Sequence, residues 1–276
     1  MGWIEKEDYQ EPRCLLDMGQ RFGAAERGPA LDLVRVTEKL DAYCARRDFA
    51  AAERHLDYWL ASARQAGDRR AEFALQNERM GFFRKQGRRE KALESAQAAL
   101  ALLQAVGERS AAAGTCYVNV GTVYENFDLP ELACGWFEKA REIYEAELRP
   151  GDARLGGLYN NMALALAATG RFDAAEGLFA RALEVMEGTR FGPWEQAVTW
   201  LNLADTLTAR MGCEQAEERV QSCLENAARL LDAAEPERDG YYAFVCEKCA
   251  PGFDHYGWFA YAWELRERSE EIYAGT

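Results

Sequence analysis

The sequence contains only two histidines and seven prolines among its 276 residues. His55 and His255 provide few groups for acid–base catalysis near neutral pH. The sequence also lacks a recognisable Ser/His/Asp or Cys/His arrangement, a GxxxxGK[ST] phosphate loop and a GxGxxG motif. We therefore expect a protein without enzymatic activity. The scarcity of proline indicates long helices, because proline breaks a helix interior.

The chain also lacks a long apolar run and an excess of positive charge. No segment approaches the roughly 20 apolar residues of a membrane-spanning helix, and the N-terminal stretch MGWIEKEDYQEPRC does not resemble a secretory signal. A formal net charge of −13 disfavours nucleic acids and anionic membranes as partners. The eight cysteines lie within periodic apolar segments, which is typical of small buried side chains. These features predict a soluble cytoplasmic protein.

A pattern of about 41 residues repeats along the chain. Nine residues before a conserved-in-pattern small residue lies a bulky side chain, and the spacings on both sides of the intervening turn follow one helical face. Each unit is therefore predicted to be a helical hairpin that stacks on its neighbours. The small residue, called the repeat alanine below, is Ala52, Ala92, Ala133, Ala175 and Ala216, at intervals of 40, 41, 42 and 41 residues.

The predicted array covers residues 31–276, and residues 1–30 are predicted to form an irregular arm. A sixth, degenerate hairpin follows the five regular ones, and counting 41 residues from Ala216 places its small residue at Gly257. Its polar RERSEE segment suits a terminal capping unit, which must remain soluble. The six hairpins are predicted at about 31–67, 70–107, 110–149, 152–189, 192–234 and 239–274.

The repeating pattern of small residue, bulky residue, turn, alanine and aromatic residue resembles that of the tetratricopeptide repeat (TPR) family. The usual unit of about 34 residues is longer here, as in kinesin light chains and bacterial peptide-sensing TPR proteins. The segment LYNNMALALAATGRFDAAEGLFARALEV is particularly similar to the former. The resemblance implies an all-α fold, a right-handed α-α superhelix or TPR solenoid, whose first helices line a concave groove that binds protein or peptide. The pattern departs from the family at Lys39, Gln76 and Arg79, which occupy normally apolar positions.

Asparagine recurs fourteen residues before the repeat alanine, a position that helical phase places on the predicted groove. The resemblance implies that such asparagines bind the backbone of an extended peptide, since a carboxamide both donates and accepts hydrogen bonds. The alternative is that these side chains bond to neighbouring helices. The predicted peptide-binding residues are Asn119, Asn161 and Asn202, with Asn160, Asn126 and Asn77 as auxiliaries. Asn160 has only Asn77 as its counterpart, so it is either specific to one hairpin or incidental.

Acidic residues outnumber cations on the predicted groove. Asp205 and Glu78 are among its carboxylates, whereas Arg84 and Lys85 lie together at the end of one helix. TPR domains that clamp a C-terminal carboxylate spread several cations over successive hairpins, so an acidic tail is not the expected ligand. The predicted partner is a protein or an extended peptide that is neutral or basic, with no cofactor, nucleic acid or membrane.

Two further features leave alternative functions open. Cys246 and Cys249 form a CxxC pair near His255, but a structural zinc usually has four ligands and a redox CxxC lies in a βαβ setting. We expect packing there, with metal or redox sensing as the alternative. The aromatic run 256–263 is expected to seal the end of the stack. Alternatively it is an exposed patch, and the protein is a self-associating structural protein that forms a homo-oligomer.

Overall fold

The computed structural model describes residues 31–106, 110–233 and 238–275, and all regular structure within these ranges is helical. The predicted all-α fold is therefore confirmed, while the predicted arm at 1–30 lies outside the described residues. Within the same ranges, no helix has both the length and the apolar character needed to cross a membrane. The helices are α1 (Leu33–Ala45), α2 (Phe49–Ala66), α3 (Arg69–Lys85), α4 (Arg89–Val106), α5 (Ala111–Asn126), α6 (Pro130–Glu147), α7 (Ala153–Ala168), α8 (Phe172–Glu187), α9 (Gly192–Met211), α10 (Cys213–Leu231), α11 (Gly240–His255) and α12 (Phe259–Gly275).

The described residues form two compact units, which divide between Leu148 and Arg149. The first unit contains α1 to α6, and the second contains α7 to α12. Within each unit, consecutive helices form three hairpins, and the first helix of a hairpin packs against the hairpin before it. In the first unit α5 packs against both α3 and α4; in the second α9 packs against both α7 and α8. Each hairpin thus buries its apolar faces against its neighbours, as a repeat protein requires.

The turn between the two helices of a hairpin contains a residue with positive φ, five residues before the repeat alanine. Gly87, Gly170 and Gly257 supply it in three hairpins, at φ 65°, 77° and 82°, a conformation that only glycine adopts without strain. Gly257 is therefore the turn glycine of the sixth hairpin, and its assignment as the repeat alanine was wrong. Ala262, fully buried on α12, takes that place.

The sixth hairpin is out of register because the connection before it is long. Residues 232–239 separate α10 from α11, whereas only residues 67 and 68 separate α2 from α3. A fixed interval of 41 residues therefore ends in the turn instead of in α12.

Small residues allow the two helices of a hairpin to approach closely. The repeat alanines are completely buried. Gly121, on α5, faces the ring of Phe137 on α6 so closely that an added Cβ would lie 2.5 Å from its Cε1 atom. A side chain of any size at Gly121 would have to displace this fully buried ring.

Aspartate side chains fix the start of five helices. In each case a carboxylate oxygen accepts a hydrogen bond from a backbone N–H of the first turn, which would otherwise have no intrahelical partner. Asp239, at the start of α11, accepts from the N–H groups of both Tyr241 and Tyr242. The other four are Asp32, Asp48, Asp68 and Asp152.

Candidate functional site: paired carboxamides on the first helices

Two asparagines form a hydrogen-bonded pair across successive hairpins of the first unit. Asn119 on α5 donates from Nδ2 to the Oδ1 atom of Asn77 on α3, at 3.2 Å. Asn119 lies fourteen residues before its repeat alanine and Asn77 fifteen before its own. Asn77 is 8% exposed, so the bond is made in a largely water-excluded position, where it is stronger than at an open surface.

The second unit contains the same pair at the same repeat positions. Asn202 on α9 donates from Nδ2 to the Oδ1 atom of Asn160 on α7, at 3.0 Å. Asn160, itself 8% exposed, donates in turn to the Oδ1 atom of Asn161, at 3.3 Å. Asn160 is therefore the acceptor that joins two hairpins, not an incidental residue. Because the geometry recurs, the pairing is a property of the repeat.

The pairing determines which polar atoms remain for another molecule. The hydrogen bonds described above use Oδ1 of Asn77 and Oδ1 of Asn160 as acceptors. Within the described part of the chain, they leave Nδ2 of Asn77 and Nδ2 of Asn161 as donors, and Oδ1 of Asn119 and Oδ1 of Asn202 as acceptors. Each unit thus presents one amide donor and one amide acceptor on adjacent hairpins. A peptide group needs this combination, because it contains one N–H and one C=O.

Asp205, another predicted site residue, is bound to a tyrosine that the sequence analysis did not select. Tyr256 donates its hydroxyl proton to Oδ1 of Asp205 at 2.8 Å, and Oγ1 of Thr208 lies 3.1 Å from the same hydroxyl. Burial raises the pKa of the Tyr256 hydroxyl, and the Asp205 carboxylate raises it further. The hydroxyl therefore remains protonated and holds Asp205 at the junction of α9 and α11.

Glu78 and Lys85 lie on the same side of the first unit as Cys44. Both charges, together with that of Asp41, act on the Cys44 thiol, whose pKa is raised to about 11 chiefly by burial. Asn126 is exposed at the last residue of α5. In the described ranges no hydrogen bond connects Asn126 with the Asn77–Asn119 pair, so its predicted auxiliary role stays a prediction.

The corrected register reveals a cation at the asparagine position of the sixth hairpin. Lys248, exposed on α11, lies fourteen residues before Ala262. It acts on the carboxyl group of Glu195, whose pKa is raised by burial and partly lowered by Lys248. The sequence analysis missed Lys248 because counting from Gly257 placed Ala243 at this position. The polar surface of the second unit therefore contains a cation that the earlier inventory of charges lacked.

The two cysteines of the CxxC motif are part of the second unit's core. Cys246 and Cys249 are at most 1% exposed. Burial raises the pKa of the Cys246 thiol to about 11 and raises that of Cys249 as well. Thiolates are the form that binds metals and reacts, so this environment disfavours both. His255 is exposed at the end of α11, and the described ranges contain no cluster of three or more histidine, cysteine or acidic residues suited to a metal ion.

Comparison with known proteins supports the repeat assignment. Residues 154–229 match the family model described as tetratricopeptide repeat. No curated protein matches the chain.

Two solved structures are similar over most of their length. One is BtubC (BKLC) from P. vanneervenii, with a TM-score of 0.55 and 20% identity over 83% of this chain and 91% of that one. The other is a putative kinesin light chain from Podosopora anserina with nearly identical TPR-like repeats, with a TM-score of 0.50 and 17% identity over 72% of this chain and 94% of that one. Identities this low establish similarity of fold alone. The predicted family resemblance is thus confirmed: residues 154–229 are tetratricopeptide repeats, and the chain has the fold of a TPR-like repeat protein.

Proposed function

We propose that the protein is a non-enzymatic scaffold that binds an extended segment of a partner protein along the paired carboxamides. The fold is one that generally supports protein interaction, but a fold does not specify a ligand. The observation that carries the proposal is the repetition of one asparagine pair in both units, with 3.2 Å and 3.0 Å bonds at equivalent positions.

The pair fixes the orientation of each carboxamide before a ligand arrives. A preorganised donor and acceptor lose little side-chain entropy on binding, which is where much of the cost of association arises. Asn119 and Asn202 are half-buried, so their remaining polar atoms lie at the surface without being fully hydrated. Because carboxamides hydrogen-bond to peptide groups and not to particular side chains, the pairs supply affinity that tolerates many ligand sequences.

The neighbouring charges supply the ligand preference. In the second unit Asp205 and Glu195 lie on α9, and Lys248 lies on α11. We propose that a neutral or basic segment binds along Asn161 and Asn202, and that Lys248 accommodates an acidic group only at its far end. Such a ligand has few carboxylates to oppose Asp205.

The test begins with peptides selected from a random-sequence display library against the full chain. Their dissociation constants are then measured by isothermal titration calorimetry with wild-type protein, Asn202→Ala and Asn119→Ala. Loss of one hydrogen bond of about 0.5–1.5 kcal/mol corresponds to a roughly two- to tenfold weaker affinity. We expect a peptide that binds one unit to respond to the variant in that unit only.

Asn226→Ala is the matched control, because Asn226 lies on α10 and bonds to the backbone oxygen of Ser222, away from the first helices. It should leave the affinity unchanged. Since Asn202→Ala also removes a bond between hairpins, its folding is checked by circular dichroism. A folded Asn202→Ala and a folded Asn119→Ala that both bind every selected peptide as tightly as wild type would contradict the proposal.

Metal or redox sensing through Cys246 and Cys249 is not favoured by any further observation. Both thiols are buried, and burial raises the pKa of each. A metal analysis of the purified protein that found stoichiometric zinc would revive this alternative.

A further inference from the structure

The last helix exposes two large aromatic side chains. Phe259 is 67% exposed and Trp263 is 62% exposed. With Glu267 and Glu270 they follow an i, i+4, i+8, i+11 spacing, so the four residues form one stripe along α12. Other members of the aromatic run behave as expected, since Trp258 and Tyr261 pack on the core of the second unit.

Equivalent positions in the first hairpin contact the hairpin that follows. Phe49, the counterpart of Phe259, has its ring centroid 6.5 Å from that of Phe82 on α3. Asp57, the counterpart of Glu267, pairs with Arg79 on α3. The stripe on α2 is therefore the face on which the second hairpin stacks.

The counterpart of Trp263 makes the same kind of contact in the second unit. Glu176 on α8 pairs with Arg210 on α9 at 2.6 Å and with Arg219 on α10 at 2.7 Å. Thus all three positions belong to the surface between hairpins. In the described part of the chain no helix covers this surface on α12, and aromatic residues occupy two of its positions.

We propose that the stripe on α12 stacks against α1 of a second copy of this chain, head to tail. The residues of the first hairpin that correspond to Phe82, Arg210 and Arg79 are Ala42, Arg46 and Lys39, and all three are exposed on or at the end of α1. The hairpin contacts inside the chain then define the contacts between copies.

The three pairs that result are chemically complementary. Phe259 meets Ala42, which leaves room for its ring, and Glu267 meets Lys39. Trp263 meets Arg46, and a guanidinium over an indole is the most favourable cation–π combination. The interface therefore continues the surface that joins hairpins within each unit, with one apolar, one ionic and one cation–π contact.

Such an interface is heterologous, because it joins different surfaces of the two copies, and it leaves a free α12 and a free α1 at the ends. Association should therefore be open-ended and depend on concentration. Sedimentation velocity of the full chain from about 1 μM to about 1 mM should show a mass that rises above the 31.1 kDa of one chain. A protein that stays monomeric over this range overturns the proposal.

Single substitutions on either surface should abolish association. We expect Trp263→Glu and Arg46→Glu each to remain monomeric, with circular dichroism spectra like that of wild type. An equimolar mixture of the two variants should form a complex of two chains and no larger, since each retains the surface that the other lacks. A symmetric dimer through α12 alone would survive Arg46→Glu, and that result would also overturn the proposal.

A charge exchange tests the register of the helices. Glu267→Lys and Lys39→Glu should each weaken association, and the double variant should recover at least half of the loss, because the pair is restored at every interface. The control is Tyr58→Glu, which replaces an aromatic residue of similar exposure, 65%, outside the stripe on α2. It should associate like wild type. Equal loss with Tyr58→Glu, or no recovery in the double variant, would count against this register.

Discussion

Replacing Gly121 by alanine tests the close contact between α5 and α6. Alanine is favoured over glycine in a helix interior by about 1 kcal/mol, so the substitution would stabilise the protein if the site had room. The new Cβ would instead lie 2.5, 2.7 and 2.9 Å from the Cε1, Cδ1 and Cζ atoms of Phe137. That ring is fully buried, and overpacking a core of this kind costs about 1–3 kcal/mol.

Gly135→Ala is the matched comparison, because Gly135 lies on α6 with nothing within 4 Å of an added Cβ. It should gain most of the helix-propensity term, about 0.4–1 kcal/mol. Subtracting one variant from the other removes that shared term and leaves the clash. We therefore expect Gly121→Ala to be less stable than Gly135→Ala by roughly 1–3 kcal/mol.

The assay is equilibrium unfolding in urea, followed by circular dichroism, with the free energy of unfolding extrapolated to water. Both glycines lie in the first unit, so the comparison is valid whether or not the two units unfold together. If Gly121→Ala were stabilised as much as Gly135→Ala, the ring of Phe137 could not lie against Gly121, and the predicted role of small residues in the hairpin contact would be refuted.

Three further predictions concern caps, thiols and acid stability. Asp239→Ala should lower the stability of the second unit by about 1 kcal/mol, because α11 loses the acceptor for two first-turn N–H groups; a thermal melt in which Asp239→Ala matched wild type would contradict this. In a thiol titration Cys213, which is exposed, should react before Cys249, which should react only on unfolding; simultaneous reaction would refute the burial of Cys249. Hydrogen bonds from Arg88 and Lys91 lower the pKa of Glu53 below its ordinary value of 4.5, so its stabilisation is present above that value and is lost as the pH falls through the lower folded value. Glu53→Gln should therefore reduce the melting temperature at neutral pH but not in strong acid, and an equal reduction at both would exclude the ion pair as the cause.

The repeat pattern was sufficient to predict helical hairpins, because the burial of alanines and bulky residues follows directly from helical periodicity. It was also sufficient to place Asn119 and Asn202 at equivalent positions. Their hydrogen bonds to Asn77 and Asn160 could not be predicted, since a bond between residues 42 apart depends on how closely successive first helices approach.

The sixth hairpin shows where periodicity becomes unreliable. A long connection before α11 changes the interval, and both Gly257 and Ala262 are small enough to be taken for the repeat alanine. Only the positive φ of Gly257 and the complete burial of Ala262 distinguish them. The aromatic run has a similar difficulty, because adjacent aromatic residues such as Trp258 and Phe259 occupy different faces of the hairpin, and composition alone does not say which is buried.

The central claim is that the paired carboxamides bind the backbone of an extended ligand, and backbone methylation of a selected peptide tests it most directly. N-methylation removes one N–H donor while the side chains stay the same. We predict that methylation at one position weakens binding to wild-type protein by roughly two- to tenfold, and that Asn202→Ala, which removes the Oδ1 acceptor, shows no further loss from the same methylation. Equal losses in wild type and Asn202→Ala at every position would contradict backbone recognition by this residue, and an affinity indifferent to methylation throughout would contradict the claim altogether.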